Sequence, residues 1–189
     1  MKRIFTKKNI LTVPNLLSLL RILMIPFIVW LYIGKKNYYG AAALIILSGL
    51  TDVADGIIAR KCNMVSDFGK ILDPIADKLT QGTLIICLSI KYPNMLWLIA
   101  LFVAKEFVMA LLGYITIRNT DSVNSAKWYG KLSTFILYAS MILMILLPDL
   151  PMSVINTLII ICGAILCLSL IMYTRFYIKI LCKNQENTR

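Results

Sequence analysis

The sequence predicts an all-α integral membrane protein with six transmembrane helices and a short N-terminal interfacial helix. Three observations carry this. Of 189 residues, 59% are hydrophobic, and the mean hydropathy is +0.80, far above what globular domains show. Six apolar stretches, near 16–33, 38–59, 71–90, 95–117, 129–147 and 153–174, approach the length that crosses a bilayer. The basic residues gather between those stretches and alternate in density from one side to the other. One membrane domain over 1–189 accounts for the whole length, with no repeat and no soluble module.

Segment 1–13 is juxtamembrane and basic, with Ile4 and Phe5 interleaved among Lys2, Arg3, Lys7 and Lys8. It suits a short interfacial helix on an anionic leaflet, or a plain positive flank. Pro14 separates it from the first span. The apolar run Leu16–Ile33 is too long for a cleavable leader and lacks a small-residue cleavage site. Polar or turn-forming separators follow at Gly34–Asn37, Arg60–Lys70, Lys91–Asn94, Arg118–Lys127 and Pro148–Pro151.

Charge sets the expected orientation. With both termini cytoplasmic, the inner segments hold Lys2, Arg3, Lys7, Lys8, Arg60, Lys61, Lys70, Arg118, Lys127, Lys131, Arg175, Lys179, Lys183 and Arg189, fourteen in all. The outer loops hold only Lys35, Lys36 and Lys91, so N-in and C-in is the predicted topology. The same bias explains the net charge of +11 without nucleic acid as a partner. Trp30, Tyr32, Tyr38, Tyr39, Tyr92 and Trp97 fall near outer span ends and read as an interfacial belt. The five cysteines are scattered and form no metal-ligand spacing. There is no histidine, so proton transfer falls to Asp, Glu, Lys or Tyr.

Against this apolar background, Asp52, Asp55, Asp73 and Asp77 are costly. They are four of the nine acids in the chain and lie at the cytoplasmic ends of the second and third spans. Each carboxylate at mid-membrane costs roughly 2.5–3.5 kcal/mol, so four imply roughly 10 kcal/mol to be offset. Asp52 and Asp55 lie about 60° apart on a helix, and Asp73 and Asp77 about 40° apart, so each pair shares a face. Two antiparallel helices joined by the short loop between them can aim all four at one point. Hard oxygen donors without His or Cys suit Mg²⁺ or Mn²⁺, and four carboxylates have room for two ions. Such a pair clamps a phosphoryl group in in-line displacement. Gly56 and Ala59 leave their helix face open to a base or pyrophosphate. Arg60 is suited to phosphate, and Ser66 in the loop offers a hydroxyl donor. Helix-end capping explains Asp73 alone but not Asp52 and Asp55, which sit at a C-terminal end where the dipole disfavours anions.

The full string Asp52-x2-Asp55-Gly56-x2-Ala59-Arg60-x8-Gly69-x3-Asp73-x3-Asp77 resembles the signature of the CDP-alcohol phosphotransferase (phosphatidyltransferase) family at every specified position. The resemblance extends to Pro14-Asn15-x2-Ser18-x2-Arg21 and to the order of six spans. Within the family it is most similar to the bacterial phosphatidylglycerophosphate synthases, and close to the eukaryote-type cardiolipin synthases. It implies transfer of a substituted phosphate from a CDP-linked donor, CDP-diacylglycerol, to an alcohol with release of CMP. It further implies that Asp52, Asp55, Asp73 and Asp77 hold the metals and that Asp77 is the base. Gly56, Ala59, Arg60, Ser66, Asn15, Ser18 and Arg21 would meet the donor, and the family implies a homodimer.

The acceptor is less constrained. Glycerol 3-phosphate is anionic and needs cations, for which Lys78, Lys105, Lys127, Lys131 and Arg175 are candidates; of these, Lys105, Lys131 and Arg175 are taken as acceptor-binding. Lys105-Glu106 stands where the glycerophosphate branch carries Arg-Glu, and Gly130-Lys131-Leu132-Ser133-Thr134 resembles its G-K-x-K-T segment with Ser133 for the second lysine. Glycerol 3-phosphate is the expected acceptor, with phosphatidylglycerol, serine or inositol phosphate as alternatives. A divalent-cation transporter is the reading from another class. It would spread acids through the membrane depth, whereas these cluster on one side.

Overall fold

The computed structural model describes residues 12–61, 69–120 and 128–187. They form six α-helices, with no strand among the described residues: α1 Val13–Val29, α2 Tyr38–Lys61, α3 Gly69–Lys91, α4 Met95–Thr120, α5 Trp128–Leu146 and α6 Met152–Asn187. The segment expected to form an interfacial helix falls almost wholly outside the described residues.

Two compact units result. The first holds α1, α2, α3 and Ile142–Pro148; the second holds Tyr92–Met141 and the chain from Asp149 onward. In the first unit α1 packs on both α2 and α3. Pro14 sits in its first turn, where a missing N–H costs nothing. The helix continues into a π-helical turn, Trp30–Gly34. Lys36 then takes a left-handed conformation, φ 52°, and Asn37 caps α2, its Oδ1 accepting from the Gly40 N–H at 2.9 Å. A Cβ at Gly40 would lie 2.9 Å from the Asn37 amide nitrogen, so the capping side chain would have to shift.

Helix α1 is built inside out. Asn15, Ser18, Arg21, Met24 and Ile28 are buried, as is Tyr32 in the π-helical turn, whereas Leu16, Leu19, Leu20, Leu23 and Phe27 are exposed. That distribution fits a lipid-facing helix whose polar residues point at its neighbours.

Among the described residues, four helices are long and apolar enough to cross a membrane, over Asn15–Gly34, Met95–Thr116, Trp128–Leu146 and Met152–Cys182. The other two expected spans form helices of 24 and 23 residues, α2 and α3. Each is ~35 Å long at 1.5 Å per residue. Their charges set them apart: the apolar part of α2 is only Tyr38–Ala54, and α3 is broken by Asp73, Asp77 and Lys78. Helix α6 runs to Asn187, well past the expected end near 174. Arg175, Lys179 and Lys183 end the hydrophobic run, yet Arg and Lys are good helix formers. The aromatic belt is partial: Trp30, Tyr39 and Trp97 are exposed, but Tyr32 and Tyr92 are buried. Tyr32 packs edge-on against Tyr38, ring centroids 5.4 Å apart.

In the second unit α4 and α6 run side by side. Asn94 Nδ2 donates to Asn156 Oδ1 at 2.8 Å, and Leu98 and Leu101 lie against Gly163. Helices α5 and α6 lock through aromatics, Tyr129 meeting Tyr173 edge-on at 4.5 Å. The Tyr173 ring and hydroxyl occupy the space where a side chain at Gly130 would start. Gly130→Ala is therefore expected to lower stability by about 1–3 kcal/mol, the usual cost of overpacking. Adding Tyr173→Phe, which removes the nearest atom, should recover part of that loss in thermal melts in detergent.

Candidate active site

The candidate site begins with three polar residues on α1. Asn15, Ser18 and Arg21 recur every three residues, so they form one stripe, and each is at most 2% exposed. Burying an arginine in an apolar helix demands a counter-charge. Arg21 Nη1 finds it in Asp52 Oδ1 of α2 at 2.5 Å. One turn earlier, Ser18 Oγ donates to Asp73 Oδ1 of α3. Two side chains of a single helix face thus tie together aspartates that are 21 positions apart in sequence, 52 and 73.

The third described aspartate is held within α3. Gln81 Nε2 donates to Asp77, 3.3 Å from Oδ1 and 3.2 Å from Oδ2. Lys78 Nζ donates to Gln81 Oε1 at 3.3 Å and lies 3.7 Å from Asp77 Oδ2. Gly69 is buried at the first turn of α3.

A family model, CDP-alcohol phosphatidyltransferase, matches residues 11–174. The chain belongs to that family. It is 31% identical over 143 residues to a CMP-forming cardiolipin synthase of Streptomyces coelicolor, covering 72% of this chain and 66% of that one. It is 34% identical over 135 residues to a probable phosphatidylglycerophosphate synthase of Mycobacterium tuberculosis, covering 69% and 64%. A cardiolipin synthase/mitochondrial hydrolase fusion protein of Schizosaccharomyces pombe is 41% identical over 130 residues, covering 68% of this chain and 21% of the fusion. The chain thus spans less than two thirds of the length of each of these relatives.

For a member of this family, the motif residues are placed as follows. Asp55, Gly56, Ala59 and Arg60 lie in the last turns of α2, but their side chains are outside the described set, and Ser66 lies outside the described residues altogether. Asp52, Asp73 and Asp77 offer carboxylate oxygens beside hydroxyl and amide groups, and the chain has no histidine. That donor set fits a hard divalent cation such as those the family uses. Among the described residues no three acidic, Cys or His side chains converge at ligating distance; Asp52, Asp73 and Asp77 are each directed at a partner of their own. Asp52 is the most open of them, its side chain 47% exposed.

The expected acceptor residues belong to the second unit. Lys105 is buried in α4 and paired with its neighbour Glu106, Nζ to Oε1 2.8 Å. Lys131 and Arg175 are exposed on α5 and α6. Ser133, at the position where the glycerophosphate branch has lysine, is buried; its hydroxyl donates to Gly130 O at 2.8 Å. Sequence reasoning missed Gln81. Its signal was an uncharged amide one turn beyond Asp77 in an apolar run, a group that is costly there unless bonded.

Proposed function

We propose that the protein transfers a phosphatidyl group from CDP-diacylglycerol to glycerol 3-phosphate and releases CMP, from the cytoplasmic face of a bacterial-type membrane. The observation that carries this reading is the restraint of Asp52, Asp73 and Asp77 by Arg21, Ser18 and Gln81, which pre-orients three motif carboxylates in a helix trio. The orientation rests on the excess of basic residues at the ends of the spans that carry these carboxylates.

Asp77 takes the proton of the acceptor hydroxyl. The hydroxyl oxygen then bonds to the β-phosphorus, and the bond from that phosphorus to the bridging oxygen breaks to release CMP. Asp52, Asp55, Asp73 and Asp77 would hold one or two Mg²⁺ or Mn²⁺ ions. When bound, these ions supply the positive charge that offsets negative charge developing on the phosphates. Arg21 aims the Asp52 carboxylate, and Ser18 aims that of Asp73. We assign Asn15, Gly56, Ala59, Arg60 and Ser66 to donor binding, and Lys105, Lys131 and Arg175 to acceptor binding. The working unit is a homodimer.

A second acceptor, phosphatidylglycerol, is favoured by one observation. Ser133 is buried and engaged within α5, so position 133 supplies no cation for a phosphorylated acceptor. Product analysis separates the two. Purified protein given CDP-diacylglycerol with either acceptor should yield phosphatidylglycerophosphate from glycerol 3-phosphate. Cardiolipin from phosphatidylglycerol, with no product from glycerol 3-phosphate, would overturn the primary assignment.

A further inference from the structure

We propose that Gln81 is a positioning residue of this site, fixing the carboxylate of Asp77, and that Lys78 sets the direction of the Gln81 amide. The inference rests on the reading of Asp77 as a reacting carboxylate.

Gln81 is 1% exposed in the first unit, in a helix where an unsatisfied amide would be costly. It lies four residues after Asp77, on the same face and one turn on. Its Nε2 is almost equidistant from the two carboxylate oxygens, 3.3 and 3.2 Å. A nitrogen so placed takes the inner lone pair of each oxygen, so an incoming hydroxyl meets this carboxylate by an outer lone pair. The rotation of Asp77 about its terminal bond, otherwise broad, is thereby fixed.

The amide has only one workable orientation. An ammonium has donors and no acceptor, and a carboxylate has acceptors and no donor. Lys78 Nζ lies 3.3 Å from Gln81 Oε1, so the amide oxygen must face the lysine and the amide nitrogen must face Asp77. The ring closes through Lys78 and Asp77 themselves, at 3.7 Å. Thr80, the other buried polar side chain beside Gln81, takes no part: its hydroxyl donates to Ala76 O at 2.9 Å within its own helix. Lys78, a candidate cation for an anionic acceptor on sequence grounds, directs its ammonium to Gln81 and Asp77.

The test uses the 189-residue chain in lipid–detergent micelles, with CMP release assayed directly and Mn²⁺ binding followed by electron paramagnetic resonance. Partners of ligating carboxylates typically matter about 10–100-fold. Gln81→Leu, suited to an apolar helix, and Gln81→Glu, which keeps the size and the acceptor but loses the donor, should each lower kcat by that factor. KM for CDP-diacylglycerol should stay within about twofold, because the change falls on the reacting group and not on donor binding. Mn²⁺ binding should weaken about 10-fold in both. A purely structural role would leave kcat and Mn²⁺ binding near wild type in any Gln81 variant that folds; a positioning role lowers both. Lys78→Met should cost less than Gln81→Leu, and the double variant should match Gln81→Leu alone, because the lysine acts through the glutamine. Wild-type kcat and Mn²⁺ binding in both Gln81 variants, or losses for Lys78→Met and Gln81→Leu that simply multiply, would overturn the proposal. Absence of CMP release from the wild type would instead sink the reading of the reaction, and the Mn²⁺ titration would still decide the role of Gln81.

Discussion

Asp77→Asn is expected to lower turnover by about 10²–10⁴-fold, the usual contribution of a positioned general base, while CDP-diacylglycerol still binds. The substitution changes one oxygen for an amide and keeps the shape. An asparagine amide does not take a proton from an alcohol, so the hydroxyl would have to attack in its protonated form. Gln81 Nε2 faces the Asp77 carboxylate in the native site. In the variant the Asn oxygen can still accept that bond, so local packing is retained. The check is single-turnover CMP release beside equilibrium donor binding. Loss of donor binding in step with turnover would assign Asp77 to the donor instead of the proton. Near-normal turnover would move the base elsewhere, and with no histidine in the chain the remaining carboxylates would be next.

The largest effect on stability is expected at Asp52. Arg21 is 2% exposed, and its guanidinium meets Asp52 at 2.5 Å. Asp52→Asn removes the counter-charge and keeps the arginine in an apolar helix. Breaking a buried ion pair from one side costs about 3–5 kcal/mol. Because the Asp52 side chain is 47% exposed, water screens part of the pair, and the lower end of that range applies. The double variant Arg21→Met/Asp52→Asn removes both charges, and such replacements are often neutral in stability. Its melting temperature should therefore return towards the wild-type value while turnover stays lost. Recovery of turnover along with stability would mean that the pair is only structural.

The helical architecture was legible because membrane spans announce themselves through length and apolarity. The motif was legible because its charges are expensive where they stand. Asn15, Ser18 and Arg21 were expected from the family resemblance alone. Which aspartate each residue meets could not be read, because that depends on how α1 crosses α2 and α3. Gln81 escaped notice because an uncharged amide stands out less than an acid. Lys78 was visible as a cation, but its direction follows from the rotamer it shares with Gln81. The overrun of α6 past 174 was hidden because apolarity ends before helicity does. Tyr32 and Tyr92 looked interfacial by position, yet aromatic rings serve a helix–helix seam as well as a membrane surface.

CMP release from CDP-diacylglycerol by the purified protein bears most directly on the central claim. CMP should appear only when donor, a divalent cation and an alcohol are present together, equimolar with a new phosphatidyl lipid, and its release should slow by about 10²–10⁴-fold in Asp77→Asn. Folded protein that binds the donor yet releases no CMP with glycerol 3-phosphate, phosphatidylglycerol, serine or inositol phosphate would contradict it.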